Sequence, residues 1–265
     1  MHPIERLRWI ARAEDEPAAS LGSEAAWTLA ELAEQEPNAL LTACRRLLDR
    51  HPACGPLWWV SARLATAADP LEEGRRAAAE LCSDSTSDRI GRQLRVSFTA
   101  SDALVLTSPI ELSLPALEAS KPYPLRLVAS PWSIRRSMRD LSVVVSSEVT
   151  GWSSDEADDA LEGAAVLLVE VLAAGRHAVL VSRGTAAVVQ SARAAGVPAW
   201  AVIGVGRALP ERLFEAARER AADEVDEVAL EGFALAIGPE LTGDPAVVAA
   251  QVTCPPGLEL IRRSV

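Results

Sequence analysis

Between residues 103 and 203 the chain alternates short apolar runs with stretches of helical character, and this alternation constrains the fold more than any other feature. The runs are Ala103–Leu106, Leu125–Val128, Val143–Val145, Ala165–Val169, Ala178–Val181 (as a short strand) and Trp200–Ile203. Each is too short for a helix, and all but Leu125–Val128, which Arg126 interrupts, are apolar on consecutive positions. Strands of that kind must be covered on both faces, as in a parallel sheet with crossover helices. The intervening stretches carry helix signals. Ser153-Ser154-Asp155-Glu156 has the pattern of a capping box opening a helix to Leu161. Gly184–Ala195 reads as a helix stopped by Gly196, with Pro198 just beyond. Pro210 starts another, with Leu213, Phe214 and Ala217 on one face. No internal repeat or long low-complexity segment is visible.

The first ninety or so residues lack this alternation. Leu40, Leu41, Cys44, Leu47 and Leu48 fall on one helix face, started by Pro37-Asn38 and ended by His51-Pro52. An earlier helix is expected from Ser23 as N-cap through Ala25, Leu29 and Leu32. A third carries Trp58, Trp59, Ala62 and Leu64, and a fourth follows Pro70 with Ala77, Ala78 and Leu81. Short breaks between them imply antiparallel neighbours in a small bundle. The polar segment Cys82–Asp88 is the best boundary, and Ile90–Phe98 reads equally as a last helix or a first strand. The expected fold class is α/β: an N-terminal helical bundle, residues 1–88, followed by a Rossmann-like parallel sheet with helices on both faces, residues 89–265.

With 49% apolar but only 4% aromatic residues, the core must rest on Ala, Val and Leu. The formal net charge of −11 argues against non-specific nucleic-acid binding, since a phosphate backbone would be repelled. The acidic runs Asp155–Asp159 and Asp223–Glu227 read as solvated helix faces or ends. Cys44, Cys54, Cys82 and Cys254 form no CxxC pair, and no two histidines stand at ligand spacing, so no metal site is expected and the thiols read as reduced and unpaired. The start of the chain, Met-His-Pro-Ile-Glu-Arg-Leu-Arg-Trp, is not a secretory signal. No apolar run approaches the roughly 20 residues that span a bilayer. The expectation is a cytoplasmic protein that does not engage a membrane.

Cofactor motifs are missing. The lone GxG, Gly204-Val205-Gly206, follows a late strand and has no third glycine, so no dinucleotide site is expected. There is no GxxxxGK[ST], and Val181-Ser182-Arg183-Gly184 only superficially approaches a nucleophile elbow. His2, His51 and His177 are scattered and read as ordinary surface residues. No cofactor is expected.

Three stretches together resemble one family. Gly22-Ser23-Glu24-Ala25-Ala26 through His51-Pro52-Ala53-Cys54-Gly55-Pro56-Leu57 is similar to the helical segment of initiation-factor-2B alpha/beta/delta-type subunits and of the ribose-1,5-bisphosphate and methylthioribose-1-phosphate isomerases. Val105-Leu106-Thr107-Ser108-Pro109 looks like that family's strand-Thr-x-Cys element. Ala165–Val171, Gly184-Thr185 and Gly196-Val197-Pro198 follow the order of its Gly-Ala-Asp, Asn-Lys-x-Gly-Thr and Gly-Val-Pro elements. The resemblance covers about residues 20 to 210. It implies an acid-base pair made of the Cys and the Asp, and a phosphate site made of backbone donors, an Arg and the Asn-Lys pair.

The matching positions here are altered. The Cys falls on Pro109 and the Asp on Val171, with Glu170 one residue earlier. The Asn-Lys pair falls on Val181-Ser182, the Arg-Pro after the second strand on Ser130-Pro131, the Arg-Pro-Thr of the bundle on His51-Pro52-Ala53, and its Asn on Trp59. Proline and valine cannot exchange a proton, and the lost cations carry most of the charge-assisted bonding to phosphate. A register shifted by one would instead put Glu170 at the acidic position.

Ligands of open parallel sheets bind beyond the carboxyl ends of the strands. That rule nominates Thr107, Ser108, Ser130, Ser146, Ser147, Ser182, Arg183, Gly184 and Thr185 for ligand binding and Glu170 for catalysis. The serines read otherwise as helix caps. Arg183, beside a helix start, suits an anion but reads otherwise as a surface ion pair. Glu170 interrupts an apolar run and must be partnered or sit at a sheet edge. Trp58-Trp59 reads as bundle core or subunit contact before a stacking platform. Three functions stay open: a non-catalytic ligand-sensing or subunit-interaction module; an isomerase-like enzyme with relocated chemistry, Glu170 as base and Arg183 holding an anionic substrate; and a structural partner in a homo- or hetero-oligomer. A small phosphorylated ligand is the partner that the resemblance implies.

Overall fold

The computed structural model describes residues 2–13, 16–120, 123–130, 133–145 and 148–262. Five helices come first: α1 (Pro3–Ile10), α2 (Ala18–Gln35), α3 (Leu40–Arg50), α4 (Gly55–Thr66) and α5 (Pro70–Cys82). Ser23 lies inside α2 rather than capping it, because the helix is entered one and a half turns earlier, after Pro17. Leu40, Cys44, Leu47 and Leu48 are the buried face of α3. Asp69 caps α5 by accepting from the Leu71 and Glu72 N–H groups, both at 3.1 Å. The helical core is continuous and contains Trp58 and Trp59, both fully buried.

The undecided segment after the polar break is a helix, α6 (Thr86–Ser97), whose Ile90 and Leu94 face the sheet; residue 88 lies in its first turn. Then follow β1 (Ala103–Thr107), α7 (Ser113–Glu118), β2 (Leu125–Ala129), α8 (Ile134–Val144), β3 (Val149–Ser153), α9 (Ala157–Leu161), β4 (Ala164–Glu170), β5 (Ala173–Ala174), β6 (Ala178–Ser182), α10 (Thr185–Ala194), β7 (Ala199–Val202), α11 (Glu211–Arg220), β8 (Val225–Ala229), β9 (Leu235–Ile237), β10 (Thr242–Gly243) and α12 (Pro245–Ala249). The main sheet runs β10-β9-β7-β4-β1-β2-β3, parallel throughout except for the antiparallel edge pair β9–β10.

Its interior strands are buried on both sides, as their largely apolar sequence requires; in β2 only Arg126 is half-buried, reaching the Ala160 and Glu162 carbonyls. Leu104, Leu106, Leu125, Leu127, Val166 and Leu168 face α6, α7 and α8. Val105, Val128, Leu167 and Val169 face α9, α10 and α12. Three sequence expectations need correction. Val143–Val145 is not a strand: it closes α8, where Leu141 and Val145 pack inward and Val143 is exposed. The neighbouring strand is β3, and the capping box between Ser153 and Glu156 forms at its end. Ala178–Val181 does form a strand, but in a separate antiparallel sheet of order β5-β6-β8, which backs onto the helical core. Asp223–Glu227 is not a helix face either, since it runs into β8.

The two halves meet where α4 begins. Gly55 donates its N–H to the Leu172 carbonyl at 3.1 Å, and a Cβ there would stand 2.6 Å from that oxygen, so only glycine permits the approach. Among the described residues no helix is long and apolar enough to cross a membrane.

Candidate functional site

In the strand order, β1 is flanked by β2 on one side and β4 on the other, so the chain changes winding direction between β1 and β4. The crevice beyond the carboxyl ends of those strands is where such sheets bind ligands. A cleft of about 700 Å³ opens there, between the start of α2 and the segment joining β1 to α7. Its walls include Pro17, Ala18, Ser20, Ser108, Pro109 and Leu172. Pro109, at the position that the resemblance gives to a cysteine, lines the cleft with an inert ring. Val171, at the aspartate position, is fully buried and contributes its carbonyl to Arg207 Nη1 at 2.5 Å. Trp59 does not line the cleft: its buried indole donates its N–H to Oγ1 of the exposed Thr253 at 3.0 Å. His51, at the bundle arginine's position, bonds through Nε2 to the Ile10 carbonyl at 2.8 Å.

Glu170 sits at the carboxyl end of β4 and is 1% exposed. Its Oε1 accepts from the Leu112 and Ser113 N–H groups at 2.9 and 2.6 Å, so it caps the start of α7, while Oε2 is buried without a partner. Burial pushes its carboxyl up to about 7; the two backbone donors pull the other way, and Asp84 adds to the rise. A carboxyl poised near neutrality suits a general base. Glu170, however, lines neither the cleft nor the smaller cavity beside it.

That smaller cavity, about 20 Å³, gathers Ser108, Ser130, Ser182, Arg183 and Thr185 together with Ser133 and Ser154. Four nominated hydroxyls, those of Ser108, Ser130, Ser182 and Thr185, therefore converge around a space about the size of one water. Gly184 adopts φ +89° at the head of α10. Its N–H and that of Ala186 donate to Asp226 Oδ2, at 2.7 and 3.1 Å. Arg183 is exposed and donates to the Ala222 carbonyl at 3.1 Å. Glu170 and Arg183 thus share no cavity. Thr107 is buried at the end of β1 with its hydroxyl unpartnered. Ser146 and Ser147, also nominated, lie outside the described residues, as does Pro131. Among the described residues no group of His, Cys, Asp and Glu stands together as a metal site.

The residues that sequence reasoning missed are charged and internal. Arg207 is 2% exposed and forms an ion pair with Glu111. Glu111 Oε2 accepts from the Ala18 N–H, in the first turn of α2, at 2.6 Å. Asp84 Oδ2 accepts from Val205 N–H at 2.8 Å, in the loop after β7, and Oδ1 accepts from the Thr86 N–H and hydroxyl at 2.9 and 2.5 Å. Burial pulls the Arg207 guanidinium down to about 10, opposed by Cys54 and Asp84, so it remains a cation at neutral pH. Four sets of backbone donors near the strand ends are therefore filled from within: α2 by Glu111, α7 by Glu170, α10 by Asp226 and the Val205 loop by Asp84. Of the four carboxylates only Glu170 left a trace in the sequence, by interrupting an apolar run; Asp226 lay inside a run read as a solvated helix face, and the structure places it in β8.

No known family profile matches the sequence, and no curated protein does. Solved structures do. A chain of the tetrameric eIF2B-beta2-delta2 complex from Chaetomium thermophilum superposes with a TM-score of 0.75 at 13% identity, over 94% of this chain and 92% of that one. The translation initiation factor eIF-2B of Pyrococcus horikoshii OT3 gives 0.73 at 14% identity, over 92% of this chain and 97% of that one. The 5-methylthioribose 1-phosphate isomerase of the same organism gives 0.63 at 14% identity, over 94% and 86%. The fold of this chain is thus that of the eIF2B subunits and of methylthioribose-1-phosphate isomerase, carried by a sequence 13–14% identical to theirs.

Proposed function

We propose that this chain is a non-catalytic relative of the eIF2B subunits, working in the cytoplasm as a ligand-sensing or subunit-interaction module within a homo- or hetero-oligomer. The observation that carries this reading is the pair Pro109 and Val171. One lines the cleft with a ring that exchanges no proton; the other is fully buried and turned to structural use. The carboxylates that fill the backbone donors around the strand ends support it, since an anionic substrate would have to displace them. The structural neighbour from Chaetomium thermophilum belongs to a tetrameric complex, which favours an assembling role. The test is direct. Purified protein incubated with ribose 1,5-bisphosphate or methylthioribose 1-phosphate is expected to give no product, while light scattering after size-exclusion gives a mass above that of one 28.1 kDa chain. Turnover of either sugar phosphate at ordinary enzyme rates refutes the reading.

A further inference from the structure

The cleft beyond β1 and β4 has a chemistry of its own. Its volume, about 700 Å³, lies in the range of pockets that enclose a small molecule. Its lining carries three carboxylates, Glu16, Glu111 and Asp140, against one guanidinium, that of Arg136. Arg136 is itself 3.9 Å from Asp140. Glu111, at the inner end, spends one oxygen on the α2 N–H and the other on Arg207. With Glu111 paired to Arg207 and Asp140 beside Arg136, the balance left is one negative charge, that of Glu16, and the nearest helix start already holds a carboxylate. The rest of the wall is apolar on both sides: Pro17 and Ala18 from the head of α2, Pro109, Ile110 and Leu114 from the opposite segment. A short row of hydroxyls runs along it, with Ser108 Oγ and Ser137 Oγ 3.2 Å apart. Paired hydroxyls of this kind retain capacity for one more bond each.

Resting on the non-catalytic reading above, we infer that this cleft binds an uncharged small molecule with an apolar body and a few hydrogen-bonding groups, and rejects phosphorylated sugars. The apolar walls supply the affinity, the hydroxyls set orientation, and the carboxylates exclude phosphate.

The test uses the full chain and a neutral fluorophore, N-phenyl-1-naphthylamine. One saturable site is expected, and ribose 5-phosphate at millimolar concentration should neither displace the fluorophore nor give heat in calorimetry. Leu114→Glu adds a carboxylate to the half-buried wall, and Ser20→Trp fills the mouth from an exposed position on α2. Each should weaken fluorophore binding about tenfold or more, with circular dichroism confirming that the variants are folded. The inference is overturned by the fluorophore showing no saturable site, by ribose 5-phosphate displacing it, or by fluorophore binding unchanged in both folded variants. Saturable binding of a phosphosugar without turnover sinks this inference and leaves the non-catalytic reading standing; turnover sinks that reading as well.

Discussion

Replacing Glu170 by glutamine should stabilise the protein at pH 8 and flatten its stability between about pH 4.5 and 7. In the fold this carboxyl titrates at about 7, against a reference of 4.5. The sign follows from linkage. Below the reference value both states hold the proton and the group costs nothing. As pH rises toward 7 the unfolded chain releases its proton while the folded chain keeps it, so stability drains away and then levels off. A shift of this size corresponds to about 3 kcal/mol, for a side chain 1% exposed and therefore little screened. The glutamine oxygen still accepts from Leu112 and Ser113, and its uncharged amide replaces the unpartnered Oε2, removing the repulsion from Asp84. In a chain of this length about 3 kcal/mol corresponds to a rise of roughly 6–12 °C in Tm. Scanning calorimetry of both proteins from pH 5 to 8 measures it. The reasoning fails if Glu170→Gln melts no higher than the parent at pH 8, or if the variant keeps the same loss of stability between pH 5 and 7.

Arg207→Met should destabilise by about 3 kcal/mol, because it leaves the half-buried Glu111 carboxylate without its cation; a urea midpoint within error of the parent's refutes this. Trp58→Ala should cost about 3–5 kcal/mol, since the indole is fully buried, donates to the Pro52 carbonyl at 2.8 Å and lies under Arg220 at 4.9 Å; a loss below 1 kcal/mol by urea titration, roughly a surface effect, contradicts the packing. Burial holds the Cys44 and Cys254 thiols at about 12 and Cys54 at about 11, whereas Cys82 is exposed. One thiol should therefore react quickly with Ellman's reagent at pH 8, and Cys82→Ser should remove that phase; a fast phase surviving the substitution contradicts the assignment.

The apolar runs from Ala103 to Ile203 announced the strands because burial on both faces leaves no room for alternation, and glycine and proline marked the ends of α10 and the start of α11. Val143–Val145 misled because three apolar residues cannot distinguish a helix end from a strand; only the packing of Leu141 and Val145, one turn apart, decides it. Ala178–Val181 was visible as a strand but its partner was not, because Asp226 and Glu227 interrupt the apolar residues of β8. The site divides in the same way. Pro109 and Val171 were legible as positions, while Glu111, Asp84 and Arg207 were not: a charge that becomes buried by meeting a partner far along the chain leaves no local pattern. Glu170 stood out only because it broke an apolar run, which revealed that it needed partners but not that those were the N–H groups of Leu112 and Ser113.

Leu180, Leu213 and Phe214 are shielded by the same cluster that holds Leu29, Leu48 and Trp58. An amputation at the polar break before α6 would tear open one shared interior rather than separate two independent bodies. The stump should stick to itself, and the intact chain should melt in a single step.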